Sequence, residues 1–196
     1  MNTQSINKNI AAILSSLFLS FTLSACASSP DKSGHELWSD TLTLSWNDFR
    51  GGELPDNARM AYVFDFSING DGNVITCEVK TFMDKNNSQK MKGHRSDYLL
   101  QHEISHLKLA EAHARMLRKE LSEIKESDFK KVIAKTEQLY KEHIKRDKAV
   151  QLQYDTETNH SLEKDKQEEW NNKIDSLLKE LADYSDTQVT ITLAQQ

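Results

Sequence analysis

Hydrophobic residues alternate with small or polar ones along several stretches of the first half of the chain. The segment 61–68 carries bulky apolar residues at every second position, which puts them on one face of a strand. A strong turn signal, NGDGN at 69–73, separates it from a partner strand at 74–83, and together they predict an antiparallel hairpin. The segments 41–46 and 187–193 alternate too. The pattern therefore predicts a small antiparallel sheet.

The second half of the chain has the composition of long helices. All six glycines and both prolines lie at or before Gly93, and apolar residues then recur at three- and four-residue steps. We expect helices from about Ser96 to Ile124, from Asp128 to Leu152 and from Leu162 to Tyr184, with an irregular break at 154–160. The predicted fold class is α+β, a small antiparallel sheet followed by a long-helix bundle.

The first 26 residues have the layout of an export signal. A polar start with one lysine precedes an apolar run at 10–23, which is too short for a stable membrane span. The run ends in LSAC, which resembles the lipobox of bacterial lipoproteins, where the cysteine is acylated and becomes the new N-terminus. This predicts lipidation of Cys26. The alternative is a secreted protein cut near Ala25 or Ala27.

These features predict three parts: a signal peptide at 1–25, a lipidated tether at 26–40 and one folded domain at 41–196. Lipid chains on Cys26 would anchor the protein to a membrane. Ala27 after the cysteine is similar to the sorting signal of outer-membrane lipoproteins in Gram-negative bacteria. We therefore expect an exported protein on the outer membrane, facing the periplasm or the cell surface.

Charge and cysteine content narrow the possible partners. Residues 1–26 contain one lysine and no acid, so the remaining chain has 24 basic and 30 acidic residues and a net charge of −6. This balance argues against nucleic acid as a partner. Once Cys26 is lipidated, Cys77 is left alone and cannot form an internal disulfide.

The predicted first helix carries HEISH at 102–106, which fits the pattern His-Glu-x-x-His. His102 and His106 are four residues apart and face the same way on a helix, so both can bind one zinc ion. Glu103 is turned about 100° from His102. It can reach a water molecule activated by the metal without being a ligand, which suits a general base in peptide hydrolysis. The alternative without a metal site is a solvent-facing helix with two unliganded histidines.

Zinc hydrolases of this type use three protein ligands and one water molecule. His113 and Glu111 lie on the same helix, too far along it or too far around it to share an ion with His106. The third ligand must come from another element, and we rank His160 first, in the predicted turn. The other candidates are Asp155, three further histidines (His35, His94 and His143) and glutamates of the later helices. We interpret His143 as a surface residue.

Three stretches resemble a bacterial family known as domain of unknown function 922, described as predicted secreted zinc-dependent proteases. They are LSWNDFRG at 44–51, LLQHEISHLKLAEAHAR at 99–115 and YDTETNHSLEKDKQEEW at 154–170. The last resembles a box of tyrosine-aspartate, threonine, histidine-glycine, glutamine and tryptophan, with Ser161 in place of the glycine. His113 stands where the family tends to have a tyrosine.

The resemblance implies a zincin-like active-site helix, with His102, His106 and His160 as zinc ligands and Glu103 as the base. It marks Asp155 and Tyr154 as adjacent to the site. Asp155 could orient a ligand histidine or be the third ligand itself, and Tyr154 could donate to the oxyanion.

We therefore expect a membrane-anchored zinc hydrolase, a peptidase acting on a peptide or protein. The alternative is a zinc-binding or partner-binding envelope lipoprotein that does no chemistry.

Overall fold

The structure is a computed structural model that describes residues 34–70, 73–93 and 95–193, together with the backbone of residues 6–14. In chain order the strands and helices are β1 (Ile6–Leu14), β2 (His35–Leu37), β3 (Glu53–Leu54), β4 (Tyr62–Gly70), β5 (Val74–Asp84), β6 (Lys90–Met91), α1 (Asp97–Ser122), α2 (Phe129–Thr158), α3 (Lys164–Glu180) and β7 (Gln188–Thr192). Single turns of 3-10 helix lie at Trp46–Asp48 and Ala182–Tyr184. This is the α+β architecture that the sequence predicts.

The main sheet is built around the predicted hairpin. β4 and β5 pair antiparallel, and β1 pairs antiparallel with the other edge of β4. β5 is long enough to hold two short strands on its free edge, β7 beside its first half and β2 beside its end. A separate two-stranded parallel pair joins β3 to β6. The predicted strand near the C-terminus is thus confirmed as β7.

Two strands lie in segments that we assign to the leader and the tether. β1 falls inside the predicted signal peptide, whose cleavage stays a prediction. β2 falls inside the predicted tether, and its pairing with β5 brings residues 35–37 into the folded domain. The end of β5 is therefore covered by chain that composition alone would leave in solvent.

The alternating segment 41–46 is not a strand, which corrects the sequence prediction. Ser45 caps the 3-10 turn: its hydroxyl accepts from the backbone N–H of Asn47, and the Asp48 carboxylate accepts from the backbone N–H of Ser45. Such local bonds compete with strand pairing. Leu44 still packs into the core, although the predicted backbone conformation of this segment is wrong.

The second correction concerns the end of α2. We predicted a break over 154–160, yet the helix continues to Thr158. The threonine hydroxyls at 156 and 158 donate back to carbonyls one turn earlier, at Leu152 and Tyr154, so polar residues remain compatible with the helix. The break comes at 159–161, where three consecutive residues have positive φ.

The core lies on both sides of α1. One cluster packs the sheet against α1 and α2, and includes Phe66, Val79, Leu117 and Val132. Another packs α1 against α2 and α3 through Leu109, Tyr154, Trp170 and Ile174. Being covered on so many sides, α1 buries both apolar and charged residues. Within the described residues, no helix is long and apolar enough to cross a membrane.

Candidate metal centre

The first half of α1 presents the predicted motif toward α2. Ser96 caps the helix, as expected, with its hydroxyl accepting from the Leu99 backbone N–H. The rings of His102 and His106 lie edge to face with centroids 5.1 Å apart. His102 is 1% exposed, so the motif does not lie on a solvent-facing helix surface, as the alternative without a metal site would require.

Asp155 of α2 meets both histidines. Its Oδ1 atom lies 3.3 Å from Nε2 of His102 and 3.0 Å from Nε2 of His106. Ligand atoms of these three residues all lie within 4.8 Å of one another, and among the described residues they form the one group of this kind. Two imidazole nitrogens and one carboxylate oxygen therefore converge on one point.

Glutamine side chains orient both imidazoles. Nδ1 of His102 lies 2.8 Å from Oε1 of Gln167, and Nδ1 of His106 lies 2.6 Å from Oε1 of Gln151. A carboxamide oxygen only accepts hydrogen bonds, so each Nδ1 carries the proton. Each Nε2 is then the nitrogen available to a metal ion or to Asp155.

The glutamines are themselves held in place. Nε2 of Gln151 donates to the His106 carbonyl at 3.0 Å and to Asp147 at 3.1 Å. Asp147 also accepts from the hydroxyl of Tyr62 at 2.6 Å. This network ties the ligand face of α1 to α2 and to the start of β4.

Tyr154 lies behind His102. Its ring stacks on the imidazole with centroids 4.7 Å apart, and its hydroxyl donates to the His102 carbonyl at 3.1 Å while accepting from Nε2 of Gln167 at 2.6 Å. The side chain is fully buried. These contacts hold the backbone and the ring of His102 in position. The hydroxyl is already engaged in these two hydrogen bonds, which does not favour the oxyanion role that we considered.

Glu103 is buried beside the two histidines, at 2% exposure. Its Oε2 accepts a hydrogen bond from the backbone N–H of Met60, which precedes β4. Burial raises the pKa of Glu103, while the neighbouring His106 and His102 oppose that rise. A carboxyl with a raised pKa and a fixed position has the character of a general base.

The charged groups of the cluster stabilise one another. Burial by itself would lower the pKa of His106, but the hydrogen bond to Asp155 and the charges of Glu103 and Asp155 raise it to about 9. Burial likewise disfavours the charged form of Asp155, and the bonds from both histidines still hold its pKa well below the usual range. The Asp155 carboxylate is therefore ionised and attracts a positive charge, whether that charge is a proton on His106 or a metal ion.

The donor set fits zinc. Ligand atoms at 2.0–2.1 Å from a tetrahedral zinc ion are about 3.4 Å from one another. The Asp155–His102 and Asp155–His106 separations of 3.3 and 3.0 Å are close to that value. Three protein ligands also leave one position open, as in catalytic rather than structural zinc sites.

His160, our first choice as third ligand, lies at the edge of this group. Its Nδ1 is 3.6 Å from Oδ1 of Asp155, its side chain is 56% exposed, and its backbone φ is 51°. The group of three converging ligand atoms does not include His160, whereas it does include Asp155, the alternative that we considered. The difference arises because α2 runs on through residue 155 and turns it toward α1.

The other histidines lie away from the site. His143, which we interpreted as a surface residue, is fully buried next to Glu120, and that interpretation is wrong. His113 faces His143, with ring centroids 6.3 Å apart. His35 lies in β2, 3.8 Å from Asp84, and His94 lies outside the described residues.

Sequence reasoning did not identify Gln151, Gln167 or Asp147. Gln167 had a signal, because it is the glutamine of the third family-like stretch. Gln151 and Asp147 had none: both lie in a charged helix where nothing in the pattern separates them from exposed neighbours. Their role becomes visible only when α2 packs on α1.

Comparison with known proteins supports the family resemblance. Residues 75–161 match the model of a family described as bacterial protein of unknown function (DUF922). The matched region runs from β5 to the turn after α2, so it contains HEISH, Asp155 and His160. Neither the curated proteins nor the solved structures gave a match. The predicted resemblance to this family is confirmed over that region, and the family's description names no activity.

Proposed function

We propose that this protein is a membrane-anchored zinc hydrolase, a peptidase of the exported compartment. The observation that carries the proposal is the convergence of His102, His106 and Asp155 beside a buried Glu103. A glutamate adjacent to a three-ligand site is the arrangement that metal-assisted hydrolysis requires.

In this proposal His102, His106 and Asp155 hold the cation, and Gln167 and Gln151 keep the imidazoles in the liganding tautomer. Bound zinc would supply Lewis acidity, which favours both deprotonation of water and polarisation of the scissile carbonyl. Glu103 accepts the proton of the attacking water and passes it to the leaving amine. The Met60 N–H keeps the Glu103 carboxylate in one orientation throughout.

The setting in the cell is part of the proposal. Lipid on Cys26 would hold the domain at the outer membrane, where its substrates would be peptides or proteins. Cross-links of peptidoglycan are amides as well, and the chain carries no specificity signature that separates them from protein.

The burial of Glu103 favours a second candidate. At 2% exposure and bonded to Met60, the carboxyl could serve only to join α1 to the chain before β4. The protein would then be a zinc-binding or partner-binding envelope lipoprotein without catalysis.

The test of the proposal is the substitution Glu103→Gln. It keeps the shape of the side chain but removes the base, so we expect zinc content to stay the same and turnover to fall roughly 10²- to 10⁴-fold. Zinc is measured by elemental mass spectrometry, and hydrolysis with a fluorescence-quenched mixed peptide library and with peptidoglycan fragments. Glu168→Gln, on the exposed face of α3, is the matched control.

The results separate the two candidates. Activity that survives Glu103→Gln would remove Glu103 from the mechanism. Zinc bound to the unmodified protein, with no hydrolysis of either substrate class, would favour the non-catalytic lipoprotein.

A further inference from the structure

A cavity of about 220 Å³ lies between the sheet and α1. Its lining includes residues 37–40 at the end of β2 and beyond it, Thr81 of β5, and Glu111 and Arg115 of α1. Around the helix, Glu111 is about 140° and Arg115 about 180° from His106. The cavity therefore lies on another side of α1 from the candidate metal centre, and a ligand there would bind independently of the metal.

Two hydrogen-bonding groups in the lining residues have no partner within the described part of the chain. Thr81 is 1% exposed and follows Val79 on the core face of β5, and its buried hydroxyl makes no hydrogen bond. Trp38 also lines the cavity, and its indole Nε1 is buried and unpaired. Buried polar groups normally have a partner, so these two indicate that a ligand or water completes the site.

Arg115 adds further donors. Its Nε donates to Glu111, its Nη1 to the Leu178 carbonyl and its Nη2 to the Asp40 carboxylate. A guanidinium has five N–H groups, so two remain unassigned among the contacts of the described residues. The groups left without a partner on the cavity wall can thus all donate, and they favour a ligand rich in acceptors.

The charges favour an anion with a single negative charge. Arg115 and Arg118 share one buried counter-ion, Glu111, which leaves one positive charge. The carboxylate of Asp40 neutralises this remaining positive charge from the solvent side. Its side chain is 61% exposed, whereas that of Arg115 is 3% exposed. Asp40 is the exposed partner and returns to water when it leaves, and an incoming carboxylate would keep the buried Arg115 paired.

We propose that this cavity binds a small monocarboxylate, which replaces Asp40 on Arg115 and accepts hydrogen bonds from Thr81 and Trp38. A planar carboxylate can accept two parallel hydrogen bonds from one guanidinium group. The volume equals that of about seven water molecules at 30 Å³ each, so the ligand has only a few heavy atoms. Asp40 occupies the site when the ligand is absent.

The test is a titration of the full-length chain with acetate, followed by the indole N–H resonances in proton–nitrogen NMR spectra. We expect the resonance of Trp38, assigned by its loss in Trp38→Phe, to shift saturably. Thr81→Val should weaken acetate binding about tenfold, because it removes a hydrogen bond to a charged ligand. Asp40→Asn should strengthen binding up to about fivefold by removing the competing carboxylate.

Matched variants provide the controls. Thr190→Val changes an exposed strand threonine of β7, and Trp46→Phe removes another buried, unpaired indole that does not line the cavity. Neither should change the affinity for acetate. The increase with Asp40→Asn cannot result from a damaged fold, so this variant tests acetate binding even if Thr81→Val is unstable.

Three outcomes would overturn the proposal. The first is the absence of a saturable shift, which would mean that the cavity holds water only. The second is acetate binding unaffected by both Thr81→Val and Asp40→Asn. The third is binding of inorganic phosphate in preference to acetate at equal ionic strength, which would exclude a monocarboxylate site.

Discussion

Each ligand imidazole is held at its Nδ1 by the carboxamide of a glutamine from a different helix. Gln151 comes from α2 and Gln167 from α3, so both Nε2 atoms point inward only when the three helices are assembled. The amide partners leave each Nε2 facing Asp155 and add no charge of their own. The carboxylate that contacts both Nε2 atoms is Asp155, which makes it the residue whose role is most informative to test.

We predict that Asp155→Ala lowers the affinity for zinc by about a hundredfold or more. His160→Ala should leave about one zinc ion bound per chain. Asp155 touches both histidines, while His160 approaches Asp155 from the solvent side. The measurement is elemental mass spectrometry combined with competition against a chromophoric chelator. Loss of zinc in His160→Ala with retention in Asp155→Ala would restore His160 as the third ligand.

At the scale of elements, the end of α2 sets the positions of Asp155 and His160. Asp155 lies in the last turn of the helix, and the chain leaves it through Asn159, His160 and Ser161, with φ of 47°, 51° and 74°. Asparagine tolerates this left-handed conformation, but serine has a steric cost there. A glycine at residue 161 would avoid that cost.

We predict that Ser161→Gly stabilises the fold by about 0.5–1 kcal/mol. Glycine relieves the left-handed strain, and part of the gain is offset by its greater freedom in the unfolded chain. Urea denaturation compares this variant with Ser161→Ala, which removes the hydroxyl but keeps the side-chain clash. Equal stability of the glycine and alanine variants would show that residue 161 carries no strain.

The contact between α1 and α2 also contains a buried pair of histidines. Burial lowers the pKa of His113 to about 4, and the neighbouring His143 and Arg146 act in the same direction. Burial lowers the pKa of His143 as well, against the opposing effect of Glu120. Both histidines are therefore neutral in the folded protein, and the charged form is tolerated better by the unfolded chain.

We predict that His113 makes the fold sensitive to acid. An unfolded histidine has a pKa near 6.5, so the unfolded state binds more protons between about pH 6.5 and the folded value of about 4. The stability contributed by neutral His113 is complete above that window and is lost as the pH falls through it, up to about 3 kcal/mol.

Urea denaturation across this pH range compares the unmodified protein with His113→Gln. The variant should lose less stability on acidification, and taking the difference between the two proteins removes the contribution of the metal-centre groups that both share. Parallel stability curves would contradict the prediction.

At the scale of the whole molecule, the predicted lipid anchor lies outside the described residues. Cys26 follows the predicted leader, and the first described residue of the tether, Gly34, already lies against the folded domain. A lipidated protein would thus hold its domain close to the membrane surface.

We predict that Cys26→Ser shifts the protein from the membrane fraction to the soluble fraction. Two or more acyl chains make anchoring stable, at about 0.8 kcal/mol for each buried methylene group, and serine cannot carry them. Cell fractionation with immunoblotting measures the shift, and mass spectrometry of the N-terminal peptide detects the lipid. Equal membrane association of both proteins would exclude a lipid anchor at this residue.

The sequence by itself determined the features that depend on local pattern. The β4–β5 hairpin follows from alternation and a turn signal, α1 follows from its cap and apolar stripe, and HEISH places two histidines on one face through helix geometry alone. The short strand β7 follows from the same alternation. None of these needs knowledge of what packs against them.

Tertiary structure decided the features that depend on contacts between distant segments. Asp155 joins the histidines because α2 packs on α1, and Gln151 orients His106 across that same contact. The segment 41–46 has a strand-like pattern but does not form a strand, and its Leu44 packs instead into a cluster with residues of β4, β5 and α1. Helix periodicity specifies which side chains share a face, but the partner of that face is chosen by the free energy of packing the whole chain, which no local pattern encodes.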